Sequence, residues 1–119
     1  ILFLFMDISI VISLFNEKPS LAELVAGIHN SLKDTGLSYE IVMVNDGSTD
    51  GSWEEIERLA TESGNGSGNV NIHGICFRRN YGKSAALYSG FANVIESTCL
   101  ADTHIFVFDT FNHLCSKIC

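Results

Sequence analysis

Tyr39-Glu40-Ile41-Val42-Met43-Val44-Asn45 runs directly into Asp46-Gly47-Ser48-Thr49-Asp50-Gly51. An almost unbroken apolar run, stopped abruptly by turn-forming residues, predicts a strand covered on both faces rather than one with a wet side. Such strands pair in parallel and need long crossovers, so helical patterns should flank the run. Upstream, Asp7 to Leu14 brings Ile8, Ile10, Val11, Ile12 and Leu14 into a first strand of the same kind. Between the two strands, Ser20-Leu21-Ala22-Glu23 reads as a capping box, and Leu21, Leu24, Val25, Ile28 and Leu32 follow at helical spacing until Gly36. Downstream, Asp50 is placed to cap a second helix, whose Trp53, Ile56, Leu59 and Ala60 make one apolar stripe opposite a solvated face of Glu54, Glu55, Glu57 and Arg58. Ser63 to Asn71 reads as a flexible loop and Ile72 to Phe77 as a third strand. A helix is expected from near Ser84, with Leu87, Phe91, Val94 and Ile95, and a fourth strand from Thr103 to Phe108. This alternation predicts an α/β fold, an open and mostly parallel sheet with helices on both faces.

The 119 residues are 46% hydrophobic and 18% charged with a single Pro, a globular composition with room for one domain. Seven Lys+Arg against fourteen Asp+Glu give a net charge of −7, and only Arg78, Arg79 and Lys83 form a basic cluster. No nucleic-acid partner is expected, because neutralising phosphates along a duplex needs a basic face, although a small anion remains compatible with the cluster. No apolar run approaches the ~20 residues that cross a bilayer, so no membrane span is expected. Cys76, Cys99, Cys115 and Cys119 follow no CxxC spacing and read as free thiols of a reducing, cytoplasmic compartment; His113, Cys115 and Cys119 lack a fourth zinc ligand. The chain opens on Ile1 rather than Met and closes on Cys119 soon after a strand-like run, so an N-terminal fragment of a longer protein is the expectation.

In an open α/β sheet, ligands bind beyond the carboxyl ends of the strands. The residues arriving there are Phe15-Asn16-Glu17, then Asp46, then Arg78-Arg79-Asn80-Tyr81-Gly82-Lys83, then Asp109. Loops are polar in any protein, so no one of these residues is diagnostic. Three carboxylates and three bases on one edge of an apolar sheet nevertheless call for a ligand, ion or water to complete the pairing. A dinucleotide fingerprint is excluded by the absence of glycine from Leu14-Phe15-Asn16-Glu17. A P-loop ending in Gly82-Lys83-Ser84 would need glycine where Phe77 stands, and a receiver domain would need a pair of acids where only Glu17 stands. A nucleotide sugar fits better: a carboxylate can accept a base N–H, an aromatic ring can stack, and an acid can hold a divalent ion on two phosphates.

Three segments then carry a specific likeness. Ile8 to Glu17 (Ile-Ser-Ile-Val-Ile-Ser-Leu-Phe-Asn-Glu), Val44-Asn45-Asp46-Gly47-Ser48-Thr49-Asp50-Gly51-Ser52, and Phe77-Arg78-Arg79-Asn80-Tyr81-Gly82-Lys83-Ser84-Ala85-Ala86-Leu87 resemble, in order and spacing, the family two glycosyltransferases. The third segment most resembles the branch that loads sugars onto polyprenyl phosphates, such as dolichol-phosphate mannosyl synthases and bactoprenol glucosyltransferases. The resemblance runs from about 7 to 109 and makes residues 1–119 a partial glycosyltransferase domain, with 110–119 a divergent tail. It implies the nucleotide-binding half of a Rossmann-like GT-A fold and inverting transfer from a nucleoside diphosphate sugar of UDP or GDP type to a lipid phosphate. The parent protein is then expected at the cytoplasmic face of a membrane.

Carried over residue by residue, the resemblance puts Phe15 and Glu17 at the base and ribose and gives Asp46 the base as hydrogen-bond partner. Arg79 and Lys83 would lie near the donor phosphates. Asp109 would be the first acid of a D-x-D motif holding a divalent cation, Mg or Mn. Two departures matter. Ser13 stands where the family usually has proline, and Phe111 stands where the second metal-binding acid belongs, which weakens the expected cation site. Catalytic residues are expected in a C-terminal half that the chain lacks, so the fragment is expected to be inactive alone. Two other readings remain: a nucleotide-binding module without turnover, and a receiver-like α/β domain that binds no nucleotide.

Overall fold

The computed structural model describes residues 7–65, 70–98, 104–109 and 113–118. Strands and helices alternate as β1 (Ile8–Leu14), α1 (Lys18–Leu32), β2 (Tyr39–Asn45), α2 (Ser52–Asn65), β3 (Val70–Cys76), α3 (Lys83–Thr98) and β4 (His104–Asp109), and the chain adds β5 (His113–Ile118). The sheet order is β3-β2-β1-β4-β5. β1 pairs in parallel with β2, from Ile8↔Tyr39 to Leu14↔Asn45, and with β4, from Ile8↔His104 to Ser13↔Asp109; β2 pairs in parallel with β3, from Tyr39↔Val70 to Asn45↔Cys76. The four expected strands are therefore all present and mutually parallel.

Side chains of a strand alternate between faces, and here both faces are buried. Ile10, Ile12 and Leu14 of β1 and Tyr39, Ile41 and Met43 of β2 pack under Leu21, Val25 and Ile28 of α1 and Ile56 and Leu59 of α2. On the opposite face Val11, Val42 and Val44 pack against Ala86 of α3, with Ile75, Phe77 and Leu87 at the margin. α3 lies close to the sheet because Gly90 has no side chain: a Cβ there would stand 2.3 Å from Cγ1 of Val11. Helices on both faces are thus a consequence of two-sided apolar strands, each of whose faces must be covered.

Several details differ from the sequence reading, among them strand ends one residue off at β3 (Cys76 for Phe77) and β4 (His104–Asp109 for Thr103–Phe108). α1 begins at Lys18, before the expected capping box; Pro19 occupies its first turn, where a fixed φ and a missing N–H cost nothing, and the Ser20 hydroxyl donates back to Glu17 Oε2 at 3.3 Å. The stretch expected as a loop from Ser63 closes α2 through Asn65 and opens β3 at Val70; residues 66–69 lie outside the described residues. α3 begins one residue earlier than expected, at Lys83. The tail carries a strand, β5, antiparallel to β4, with a register shift between Val107 and Phe108. That shift lets Phe108 face Leu114 while Val107 faces Ser116, so no period-two pattern marks the strand in the sequence.

Candidate functional site

The chain leaves β1 toward β2 on one side and later returns to place β4 on the other side of β1. The order therefore reverses at β1 and β4, and open α/β sheets take ligands beyond the carboxyl ends of the strands at such a reversal. The register sets the ends of all four parallel strands at one edge: Leu14 beside Asn45, Asn45 beside Cys76, and Ser13 beside Asp109. Phe15, Glu17, Asp46, Arg79 and Asp109 therefore follow or end strands at that edge, and Lys83 opens α3 just beyond it.

Two of the loops are knitted together by hydrogen bonds. Asn16 takes a left-handed conformation, φ 53°, which Asn tolerates better than most residues. Its N–H donates to Ser48 Oγ at 2.9 Å and its Oδ1 accepts the N–H of Thr49 at 2.8 Å. Asn45 Oδ1 accepts the N–H of Ser48 at 3.1 Å, so the last residue of β2 shapes the loop that follows it. The N–H of Glu17 reaches the buried Ser52 Oγ, and that hydroxyl donates to Asp50 Oδ1. Asp50 also accepts the N–H of Lys18 at 3.2 Å and of Ser52 at 3.0 Å, the first residues of α1 and α2. One carboxylate thus sits at two helix N-termini, where partial positive charge favours an anion. Its pKa lies below the ordinary carboxylate value, chiefly because of the Ser52 hydroxyl bond.

The third loop is tied to the second by Asp46. The residue is 4% exposed, and its two oxygens accept backbone N–H groups from the far loop, Oδ1 from Tyr81 at 2.8 Å and Oδ2 from Gly82 at 3.0 Å. Gly47 makes the approach sterically possible: at φ 76° it lies against the Arg79–Asn80 peptide, and a Cβ there would stand 2.3 Å from the Arg79 carbonyl carbon. Tyr81, 58% exposed, meets Phe77 edge-on with ring centroids 5.6 Å apart, and the Arg79 guanidinium carbon lies 5.6 Å from the centre of the Tyr81 ring. Phe15 is 44% exposed at the mouth of the site, and Glu17 is half-buried beside Ser20.

Of the candidate residues, the structure joins Asp46 to the Arg79 loop and Glu17 to the Asp50 loop. Asp109 and Lys83 are placed by their backbones, and Phe111 lies outside the described residues. Among the described residues no group of three or more His, Cys, Asp or Glu side chains gathers to hold a metal. Sequence reasoning brought Asn16 and Tyr81 to the ligand edge without a role and did not single out Ser48 and Ser52, because the contacts by which these four tie one loop to another span 32 to 35 positions and leave no local pattern. The only hint was the density of side chains that can hydrogen-bond their own backbone between Asn45 and Ser52.

Fold and site together define a parallel α/β domain of the kind that takes its ligand at a switch point, with an acid-bearing loop clamped to a basic, aromatic one. The chain belongs to glycosyl transferase family 2, whose family model matches residues 9–99. Among curated relatives, an undecaprenyl-phosphate 4-deoxy-4-formamido-L-arabinose transferase of Pseudomonas fluorescens (strain SBW25) is 39% identical over 84 residues, 71% of this chain and 23% of the relative. A protein of the same description from Shewanella sediminis (strain HAW-EB3) is 38% identical over 87 residues, 73% of this chain and 25% of the relative. The chain thus spans about a quarter of the length of these relatives. Among solved structures, the mannosyltransferase PcManGT from Pyrobaculum calidifontis, determined in complex with GDP-Man and Mn2+, aligns with a TM-score of 0.68 at 18% identity. That alignment covers 88% of this chain and 27% of the mannosyltransferase and places the sheet close to a GT-A glycosyltransferase fold.

Proposed function

We propose that this chain is the donor-binding part of an inverting glycosyltransferase that uses a UDP or GDP sugar and delivers the sugar to a polyprenyl phosphate or a related lipid phosphate. The observation that carries the reading is the clamp between the Asp46 and Arg79 loops at the switch point of a family two chain. The names of the curated relatives, which specify undecaprenyl phosphate, support the acceptor class, and the GDP-Man of the structural neighbour supports the donor class. A lipid acceptor puts the parent protein at the cytoplasmic face of a membrane. Among the described residues no helix is long and apolar enough to cross one.

In this reading the exposed Phe15 ring stacks on the base and Glu17 accepts a ribose hydroxyl. Asp46 accepts a base N–H on a lone pair that Tyr81 and Gly82 leave open, since a carboxylate offers about four acceptor sites. Arg79 and Lys83 meet the diphosphate. Asp109, ending β4 beside Ser13, would hold a Mg or Mn ion through its carboxylate, since hard cations accept one carboxylate together with phosphate oxygens. Such an ion supplies charge to the departing diphosphate. The phosphate acceptor is largely ionised at neutral pH, so attack on the anomeric carbon relies on positioning more than on a strong base.

Titration calorimetry with UDP and GDP, with and without manganese, tests the proposal. Weak binding of one nucleotide is expected, with a smaller gain from manganese than in a relative with both motif acids. Asp46→Ala should weaken the binding about tenfold or more. No heat with either nucleotide would remove the donor site. A second reading, a nucleotide-binding module without turnover, is favoured by Phe111 at the second acid position; on that reading, as for a fragment, sugar transfer is undetectable while nucleotide binding persists.

A further inference from the structure

Asp46 has a visible occupation that base recognition does not explain. Each of its oxygens holds a backbone N–H of the loop after β3, and the nearer N–H belongs to Tyr81, whose ring carries the Arg79 guanidinium. Phe77 braces the same ring from its edge. Gly47, the next residue, lets the two loop backbones meet where any Cβ would collide with the Arg79–Asn80 peptide. A continuous series of contacts therefore runs from a buried carboxylate just after β2, through a peptide and a ring, to an exposed cation. Arg side chains lose rotamer freedom when fixed, so a cation resting on a prepared ring meets an anion with less left to lose.

We infer that Asp46 is a positioning residue for the phosphate side of the donor site, setting Arg79 through the Tyr81 backbone and ring in addition to any contact with the base. The inference rests on the donor-binding reading and deepens it. It makes a distinction that base recognition alone does not: a ligand with phosphates and no base should also depend on Asp46. It further predicts that Asp46 and Tyr81 act as one unit, because removing either end of the same series leaves the other without effect on Arg79.

The test uses the chain as wild type, Asp46→Asn, Tyr81→Leu and the double variant, with inorganic pyrophosphate, UDP and GDP as probes in the presence of magnesium. Amide hydrogen exchange is followed at Tyr81 and Gly82. Pyrophosphate affinity is expected to fall about tenfold or more in Asp46→Asn and severalfold in Tyr81→Leu, with the double variant no weaker than the weaker single. Exchange at the Tyr81 and Gly82 amides should rise about tenfold or more in Asp46→Asn relative to amides of β2. Pyrophosphate binding within twofold of wild type in Asp46→Asn, alongside weakened UDP or GDP, would show a base contact only and overturn the inference. Unchanged exchange at the two amides would overturn it as well. Wild-type binding of pyrophosphate without either nucleotide would sink the base pocket of the donor reading while leaving the positioning role intact. Binding of none of the three would overturn both. Tyr81 is exposed, so its variant keeps the test readable if Asp46→Asn proves poorly folded.

Discussion

Gly47 and Gly36 both sit at left-handed φ, 76° and 71°, yet they answer to different constraints. At Gly36 nothing lies within 4 Å of a built Cβ, so Gly36→Ala meets only the conformational cost of about 1 to 2 kcal/mol for a side chain in that region. At Gly47 the Cβ would stand 2.3 Å from backbone that cannot swing aside. Gly47→Ala is therefore expected to cost more than Gly36→Ala in urea unfolding, by roughly a further 1 to 3 kcal/mol, and to lower pyrophosphate affinity while Gly36→Ala leaves it unchanged. Equal effects of the two substitutions on stability and binding would contradict the close approach of the two loops. Gly27 offers the opposite case: it lies inside α1 with open space around it, and Gly27→Ala should stabilise by about 0.5 to 1 kcal/mol.

At the scale of elements, α1 and α2 begin at one carboxylate. Asp50 accepts from the first residue of each helix and from the Ser52 hydroxyl, whose oxygen in turn accepts the Glu17 N–H. Removing it strips both helix starts together. Asp50→Ala is expected to cost about 1 to 2 kcal/mol in urea unfolding, the upper range for a lost cap, with Asp50→Asn near half of that. If Asp50→Ala unfolds with the wild-type midpoint, the two helix starts are satisfied by water and the loops are held by Asn16 and Ser48 alone. Ser20 fits a capping box locally, but the chain enters α1 at Lys18, whose N–H finds its acceptor in Asp50, 32 positions on.

Across the whole sheet, the edge opposite the site holds a second polar contact. Ser9 of β1 donates to Glu40 of β2 at 2.7 Å, and His73 of β3 lies 3.5 Å from the other Glu40 oxygen. Burial pushes the Glu40 carboxyl up, but the His73 and Ser9 contacts outweigh burial and hold it below its usual 4.5. The same contact raises His73 above its usual 6.5. Glu40 therefore contributes stability above about 4.5 that is lost as pH falls through its folded-state value, and His73 contributes stability below about 6.5 that is lost as pH rises through its own. The pair's own contribution to thermal stability should be greatest between those values, while burial lowers the pKa of His29 and works the other way below about 6.5. With His73 half exposed, its share is about 0.5 to 1 kcal/mol. His73→Gln should flatten the fall above pH 6.5; an unchanged melting profile would assign that fall to other groups.

The sequence alone makes the parallel strands and the two buried faces legible, because runs of Ile, Val, Leu and Met with few polar interruptions at Ile8–Leu14 and Tyr39–Asn45 are stable only when covered on both sides. It also determined which residues reach the ligand edge, since parallel strands carry their following loops to the same end. Tertiary structure alone decided how those loops meet. That Asp46 holds Tyr81 and Gly82, that Asp50 serves two helices and that β5 joins β4 all depend on backbone groups brought together from distant positions, and a backbone N–H looks the same in every residue but proline.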